Sequence, residues 1–348
     1  MGVEGLRPHV FARRDLLKLA GVVSASSLAA SGDVSAASAR PQAGDPADAR
    51  RDQLYRLLGD LPERRRPVSG RKTGENERDG YVLERWELDL NGSEIVPAYV
   101  ARPRDAAGPA VRRPAVLFNH SHGGGYTIGK TEFVEGRSYL HPVPYAKALT
   151  DLGYVALCID HWVFGERNRA TELDTFKEML WRGRVLWGQM IFDSLKAVDW
   201  LVQRADVDPA RVATLGMSMG SSMAQYLAAL DTRIKVTVDI CCLVDYETLL
   251  ARRAQSRHGI YMYVPGLLKH FTSAGINALI APRAHLSLTG TKDELEPAEG
   301  VDIIDRELTR VYAAQGRPEH WKIVRYEVGH QETPEGRLEA VAFLKRFL

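Results

Sequence analysis

From Ala115 onward, short and nearly continuous apolar runs alternate with stretches of helical spacing. The runs are AVLFNH at 115–120, YVALCID at 154–160, VATLGMS at 212–218, KVTVDICC at 235–242, HLSLTG at 285–290 and KIVRYEV at 322–328. Between or after them, Tyr145 to Leu152, Leu186 to Val202, Ser222 to Leu230, Val301 to Ala314 and Pro334 to Leu348 have helical spacing. Strands apolar on both faces and separated by helices predict a mostly parallel central sheet covered by helices on both sides, an α/β class. Upstream the pattern changes. YVLERWEL at 81–88 and EIVPAYVA at 94–101 alternate apolar and polar residues around Asn91-Gly92, which predicts an antiparallel hairpin at the N-terminal edge of the sheet. Asp52 to Leu61 has helical spacing, whereas Pro62 to Gly80 is charged and reads as irregular. Residues 244–284 break the strand–helix rhythm and are expected to form a lid.

Composition narrows the class only modestly. The 348 residues are 45% hydrophobic and 26% charged, with a formal net charge of +2. These are ordinary globular values, and the charge gives no support for a nucleic-acid or membrane-surface partner. Three cysteines make no disulfide framework. Cys158, Cys241 and Cys242 fall inside apolar runs and are expected to be buried thiols. No Cys/His spacing suggests a metal site.

The N-terminus stands apart. Arg13-Arg14 is followed by leucines, a lysine and an Ala/Ser-rich stretch, and Ala37-Ser38-Ala39 fits a small-residue cleavage pattern. Residues 1–39 therefore resemble a twin-arginine export signal, with the export machinery as partner and a periplasmic or secreted destination. The plainer reading is a tail with a chance arginine pair. No apolar run is long enough to span a membrane. Residues 40–80 are expected to be a linker and helix, and 81–348 one domain.

The chemistry concentrates at Gly216–Gly220, GMSMG. It follows the run VATLG and precedes the helical SSMAQYLAAL, which is the strand–turn–helix context of a nucleophile elbow. Small residues let the turn close, and the helix N-terminus offers free N–H groups. Ser218 is the expected nucleophile. A serine hydroxyl needs a base, and the base needs an orienting carboxylate. Asp293 in TGTKDELEP and His330 in YEVGHQE follow the last two strand-like runs, in the order Ser, Asp, His. Asp245, Glu294 and Glu296 compete with Asp293 for the acid's role.

These pieces resemble the α/β-hydrolase superfamily, and within it the dienelactone-hydrolase-like and acetyl-xylan-esterase-like bacterial hydrolases. The likeness runs from about residue 85 to 348 and rests on NHSHGGGY, DHWVFGERN at 160–168, GMSMG, LTGTKDELEP and EVGHQE. It implies a Ser218–His330–Asp293 triad acting without metal or cofactor. It also implies an oxyanion hole from the N–H of Met219 and of Gly123 or Gly124. Dienelactone hydrolases proper have cysteine at the place of Ser218, which favours a serine esterase on short-acyl, acetyl-type esters of small molecules or carbohydrates. Serine peptidases and acyltransferases run on the same fold and remain alternatives. Tyr126 and Trp162 are candidates for the substrate wall.

One competing motif overlaps the loop. Gly124–Thr131, GGYTIGKT, fits the phosphate-cradling G-x-x-x-x-G-K-[ST]. That loop must lead into a helix, and Gly136, Pro142 and Pro144 make a long one improbable here. On this reading Lys130 is a surface loop residue.

Overall fold

A computed structural model describes residues 46–104 and 111–348. The export-signal and cleavage-site expectations lie outside them. No helix among the described residues is long and apolar enough to cross a membrane.

Nine strands form one sheet in the order β1-β2-β3-β5-β4-β6-β7-β8-β9. They are β1 (Ser69–Arg78), β2 (Tyr81–Asp89), β3 (Ile95–Pro103), β4 (Arg113–Asn119), β5 (Val155–Ile159), β6 (Val207–Met217), β7 (Ile234–Ile240), β8 (Ala284–Gly290) and β9 (Trp321–Tyr326). The first three run antiparallel, β3 pairs antiparallel with β5, and every later pairing is parallel. Strands β5 and β8 are buried at every position, as two covered faces require. The strand β1 departs from expectation: the segment read as irregular is a ten-residue edge strand, exposed along nearly its whole length.

The helices are α1 (Pro46–Leu57), α2 (Glu132–Glu135), α3 (Tyr145–Asp151), α4 (Glu172–Trp181), α5 (Leu186–Leu201), α6 (Met219–Leu230), α7 (Tyr246–Arg252), α8 (Ser273–Asn277), α9 (Ala298–Ala314) and α10 (Pro334–Phe347). Two large apolar clusters lie on the opposite faces of the sheet. One packs α5 and α6 against Leu117, Leu157 and Val212; the other packs α3 and α10 against Val116, Ala156 and Ala213. Neighbouring strand residues thus go to opposite faces, the two-residue period of a strand read directly as burial. The predicted lid, 244–284, holds α7, α8 and several single 3-10 turns. All three cysteines are buried free thiols.

Candidate active site

The site is assembled from the carboxyl ends of adjacent parallel strands, where open α/β sheets form their crevices. Ser218 sits between β6 and α6 with φ 58°, ψ −119°. A non-glycine residue at positive φ is strained, and such strain persists only where surroundings enforce it. The enforcement is visible on both sides. A Cβ at Gly216 would lie 2.3 Å from the Gly220 carbonyl oxygen, and one at Gly220 would lie 2.0 Å from that of Asn119. Only glycine permits α6 to start this close to β4. The Ser218 N–H is held by the Ile240 carbonyl at 2.9 Å, which fixes the turn against β7.

The hydroxyl of Ser218 lies 2.8 Å from His330 Nε2, and His330 Nδ1 lies 2.6 Å from Asp293 Oδ2. Residues 112 and 37 positions apart thus form one hydroxyl–imidazole–carboxylate line. With Asp293 accepting from Nδ1–H, Nε2 carries the lone pair that a serine proton requires. Asp293 is buried and its other oxygen accepts from the Leu295 N–H at 2.9 Å. His330 is half-buried, so the line opens to solvent at one end.

The competing acids have other employment. Asp245 caps α7 by accepting from the Thr248 N–H, and Glu294 pairs with Arg257 at the surface. Glu296 is buried behind Asp293 and accepts from the Leu243 and Gly290 N–H groups. Burial, with Asp293 adding repulsion, pushes its carboxyl well above the usual range. It braces the ends of β7 and β8. Cys241, Asp293 and His330 also lie within 4.8 Å of one another and are the one group of possible metal ligands among the described residues. The bond between Asp293 and His330 already occupies two of those three donors, and burial pushes the Cys241 thiol up.

Among the described residues, the N–H of Met219, which directly follows Ser218, and that of Gly123 donate to no protein group. The Gly124 N–H, the alternative second donor, donates to His122 Nδ1 at 3.0 Å. Gly123 has φ 47°, and a Cβ there would meet the Tyr139 hydroxyl at 2.4 Å. The loop is braced from below. Glu132, fully buried, accepts from the Ser121 N–H at 2.9 Å and from its hydroxyl, and Arg137 donates to the Gly123 carbonyl at 3.1 Å.

Lys130 is not a surface residue. It is buried, with Nζ 2.7 Å from Asp160 and 2.5 Å from Glu166. Its own N–H also donates to Asp160. A Cβ at Gly129 or Gly165 would come within 2.2 Å of that carboxylate. The GKT of the phosphate-loop pattern and the FGE of 164–166 are therefore two halves of an ion-pair clamp that ties the loop to the end of β5. Gly129–Thr131 is a single 3-10 turn and α2 has four residues with Glu132 at its start. No phosphate-binding helix follows the loop.

The aromatic candidates separate. The Tyr126 hydroxyl donates to Glu172 at 3.2 Å, and its ring stacks on Phe164 at 5.3 Å. It lines a cavity of about 450 Å³ with Asn168, Arg169, Thr171 and Glu172. Trp162 instead lies under the Arg167 guanidinium, 4.6 Å from its ring centre, where Arg167 is buried against Glu94 and Asp193. It supports an internal ion-pair network. Sequence reading missed Glu132, Glu172 and Arg137; their roles depend on partners brought close only by the fold.

The order of strands, the elbow between β6 and α6, and the placement of acid and imidazole after β8 and β9 define the α/β-hydrolase fold. The comparisons with known proteins agree. Residues 140–274 match the dienelactone hydrolase family. A Bacillus subtilis (strain 168) protein, YtaP, which carries a provisional hydrolase name, is 52% identical over 299 residues, covering 86% of this chain and 99% of its own. The chain belongs to the dienelactone hydrolase family. Among solved structures, a glucuronoyl esterase from Solibacter usitatus superposes with a TM-score of 0.64 at 14% identity, over 85% of this chain and 91% of that one. A Bacteroides fragilis NCTC 9343 structure provisionally named an acetyl xylan esterase gives 0.61 at 20% identity, over 81% and 74%. These two likenesses speak for the fold.

Proposed function

We propose that the chain is a serine ester hydrolase working through Ser218, His330 and Asp293. The observation that carries this reading is the hydrogen-bonded line of 2.8 Å and 2.6 Å standing on a strained elbow. His330 takes the Ser218 proton as the hydroxyl attacks an ester carbonyl. Asp293 holds the tautomer and stabilises the imidazolium that forms. The N–H groups of Met219 and Gly123 receive the developing oxyanion; one such donor is typically worth about 10²–10³ in rate. His330 then protonates the departing alcohol, and water activated by the same imidazole releases the acid.

The substrates we propose are short-acyl esters, of carbohydrates among others. The open cavity beside Tyr126, where Asn168, Arg169, Thr171 and Glu172 place polar groups on a largely apolar lining, supports room for a hydroxylated alcohol portion, and the names of the two structural neighbours point the same way. A panel of acetyl, butyryl and longer esters, acetylated sugars and peptides tests it. Turnover of peptides in preference to esters overturns the assignment. Export through the twin-arginine route is part of the proposal, and an intact N-terminus on protein recovered from its native cell would refute it.

A further inference from the structure

The loop that offers the Gly123 N–H is held by a side chain whose state another residue dictates. Gly124's N–H can only donate, so His122 Nδ1, 3.0 Å away, must carry a lone pair. The proton of the neutral ring then sits on Nε2, which faces Glu172 Oε1 at 3.2 Å. The second oxygen of Glu172 accepts from Tyr126 at 3.2 Å. Both oxygens of a carboxylate nearly removed from solvent are thus spent on His122 and Tyr126. The imidazole is also fixed in plane, stacked on Tyr261 at 5.4 Å and set edge-on to Phe164 at 5.2 Å.

Resting on the ester-hydrolase reading above, we infer that Glu172 is a positioning residue for the reaction. By accepting the His122 Nε2 proton it keeps Nδ1 an acceptor for Gly124, and so holds the 122–124 turn in the shape that leaves the Gly123 N–H unspent. Helix capping does not account for the residue. Thr171 already caps α4 by accepting from the Asp174 N–H at 3.1 Å. A carboxylate in the first turn gains from the helix dipole whichever way it points. Here it points across 50 residues of sequence to His122.

The inference is tested with nitrophenyl acetate kinetics, fluorophosphonate labelling rates and thermal melts on Glu172→Ala, His122→Leu, the double variant and His122→Asn. Asparagine places an acceptor oxygen where Nδ1 stands and should still take the Gly124 N–H. Glu172→Ala and His122→Leu should each lower kcat about tenfold, with KM changed less than about twofold, since a misplaced donor weakens the transition state more than the ground state. The double variant should be no slower than the slower single, because both act through one turn. His122→Asn should recover most of the loss. Unchanged kcat in folded Glu172→Ala, or losses that multiply in the double variant, overturns the inference. Should Glu172→Ala fail to fold, equal kcat in His122→Leu and His122→Asn overturns it. Ser218→Ala separates the two levels. Labelling that survives in that variant defeats the ester-hydrolase reading itself, whereas loss of labelling there with normal rates in Glu172→Ala defeats only the role of Glu172.

Discussion

Two clusters among the described residues each join an aspartate, a histidine and a serine hydroxyl, one open to solvent at one end and the other sealed. Asp293, His330 and Ser218 form a line with the hydroxyl on the far imidazole nitrogen. Asp239, His285 and Ser287 use the same three residue types on neighbouring strands β7 and β8. There the carboxylate is the hub: it accepts from Ser287 at 2.7 Å and contacts His285 Nε2 at 2.5 Å. The serine is on the acid, not on the base. Among the described residues His285 Nδ1 has no hydrogen-bond partner, and the whole group is closed to solvent. Composition and even proximity are therefore insufficient. Chemistry needs the order acid–base–hydroxyl, an open end and nearby N–H donors. The inner cluster instead ties two strands together by satisfying polar groups in a dry interior.

The contrast can be broken by substitution. The largest expected effect is Ser218→Ala, which should lower kcat on a short acyl ester by about 10⁶, while Ser287→Ala should leave kcat within a few-fold; steady-state kinetics decides both. Next, Asp293→Asn should cost about 10⁴ in kcat with the fold intact. Asp239→Asn should spare kcat per folded molecule and lower stability in urea melts. Third, Lys130→Met should destabilise by about 3–5 kcal/mol, because it strands the buried Asp160 carboxylate; Lys130→Met with Asp160→Asn should recover part of this in the same melts.

The smallest effect is one of pH. His120 is buried beside His161, and burial holds its pKa down at about 4. The unfolded chain binds a proton near the ordinary value of 6.5 and the folded chain does not. Stability should therefore be unaffected above pH 7, fall as pH drops from about 6.5 to about 4, and level off below. The shift amounts to about 3 kcal/mol. Urea melts at pH 7 and pH 4 should show this loss in the wild type and a smaller one in His120→Gln. An equal loss in both would place the acid sensitivity elsewhere, His161 being the next candidate.

Most of the parallel half was legible because each buried strand announces itself by unbroken apolar composition. Ser218, Asp293 and His330 were legible for a different reason: the fold delivers them at fixed places, just after strands, in a fixed order. What escaped has a common cause. The strand β1, SGRKTGENER, is exposed on both faces and so has no alternation to detect. Lys130 carries a misleading motif, and the carboxylate that buries it lies 30 residues away at the end of β5. Glu172 stands in an ordinary helix start, and nothing local distinguishes it from a dipole-favoured first-turn acid. Trp162 looked like a substrate wall because aromatic type says nothing about direction; its partner is the Arg167 guanidinium.

That unheralded first strand has a consequence for how the protein lives among its own copies. Only β2 pairs with it among the described residues, which leaves the outward-turned backbone groups of alternate residues along a ten-residue strand open. Such a border invites stacking of chain upon chain. Arg71, Lys72, Glu75, Glu77 and Arg78 line it with alternating blocks of charge, and an irregularity between Lys72 and Gly74 bends its register. Like-signed groups would meet wherever two such borders aligned in parallel, and the bend spoils the straight run that strand addition needs. The polar sequence that hid β1 from view is what lets the sheet end there.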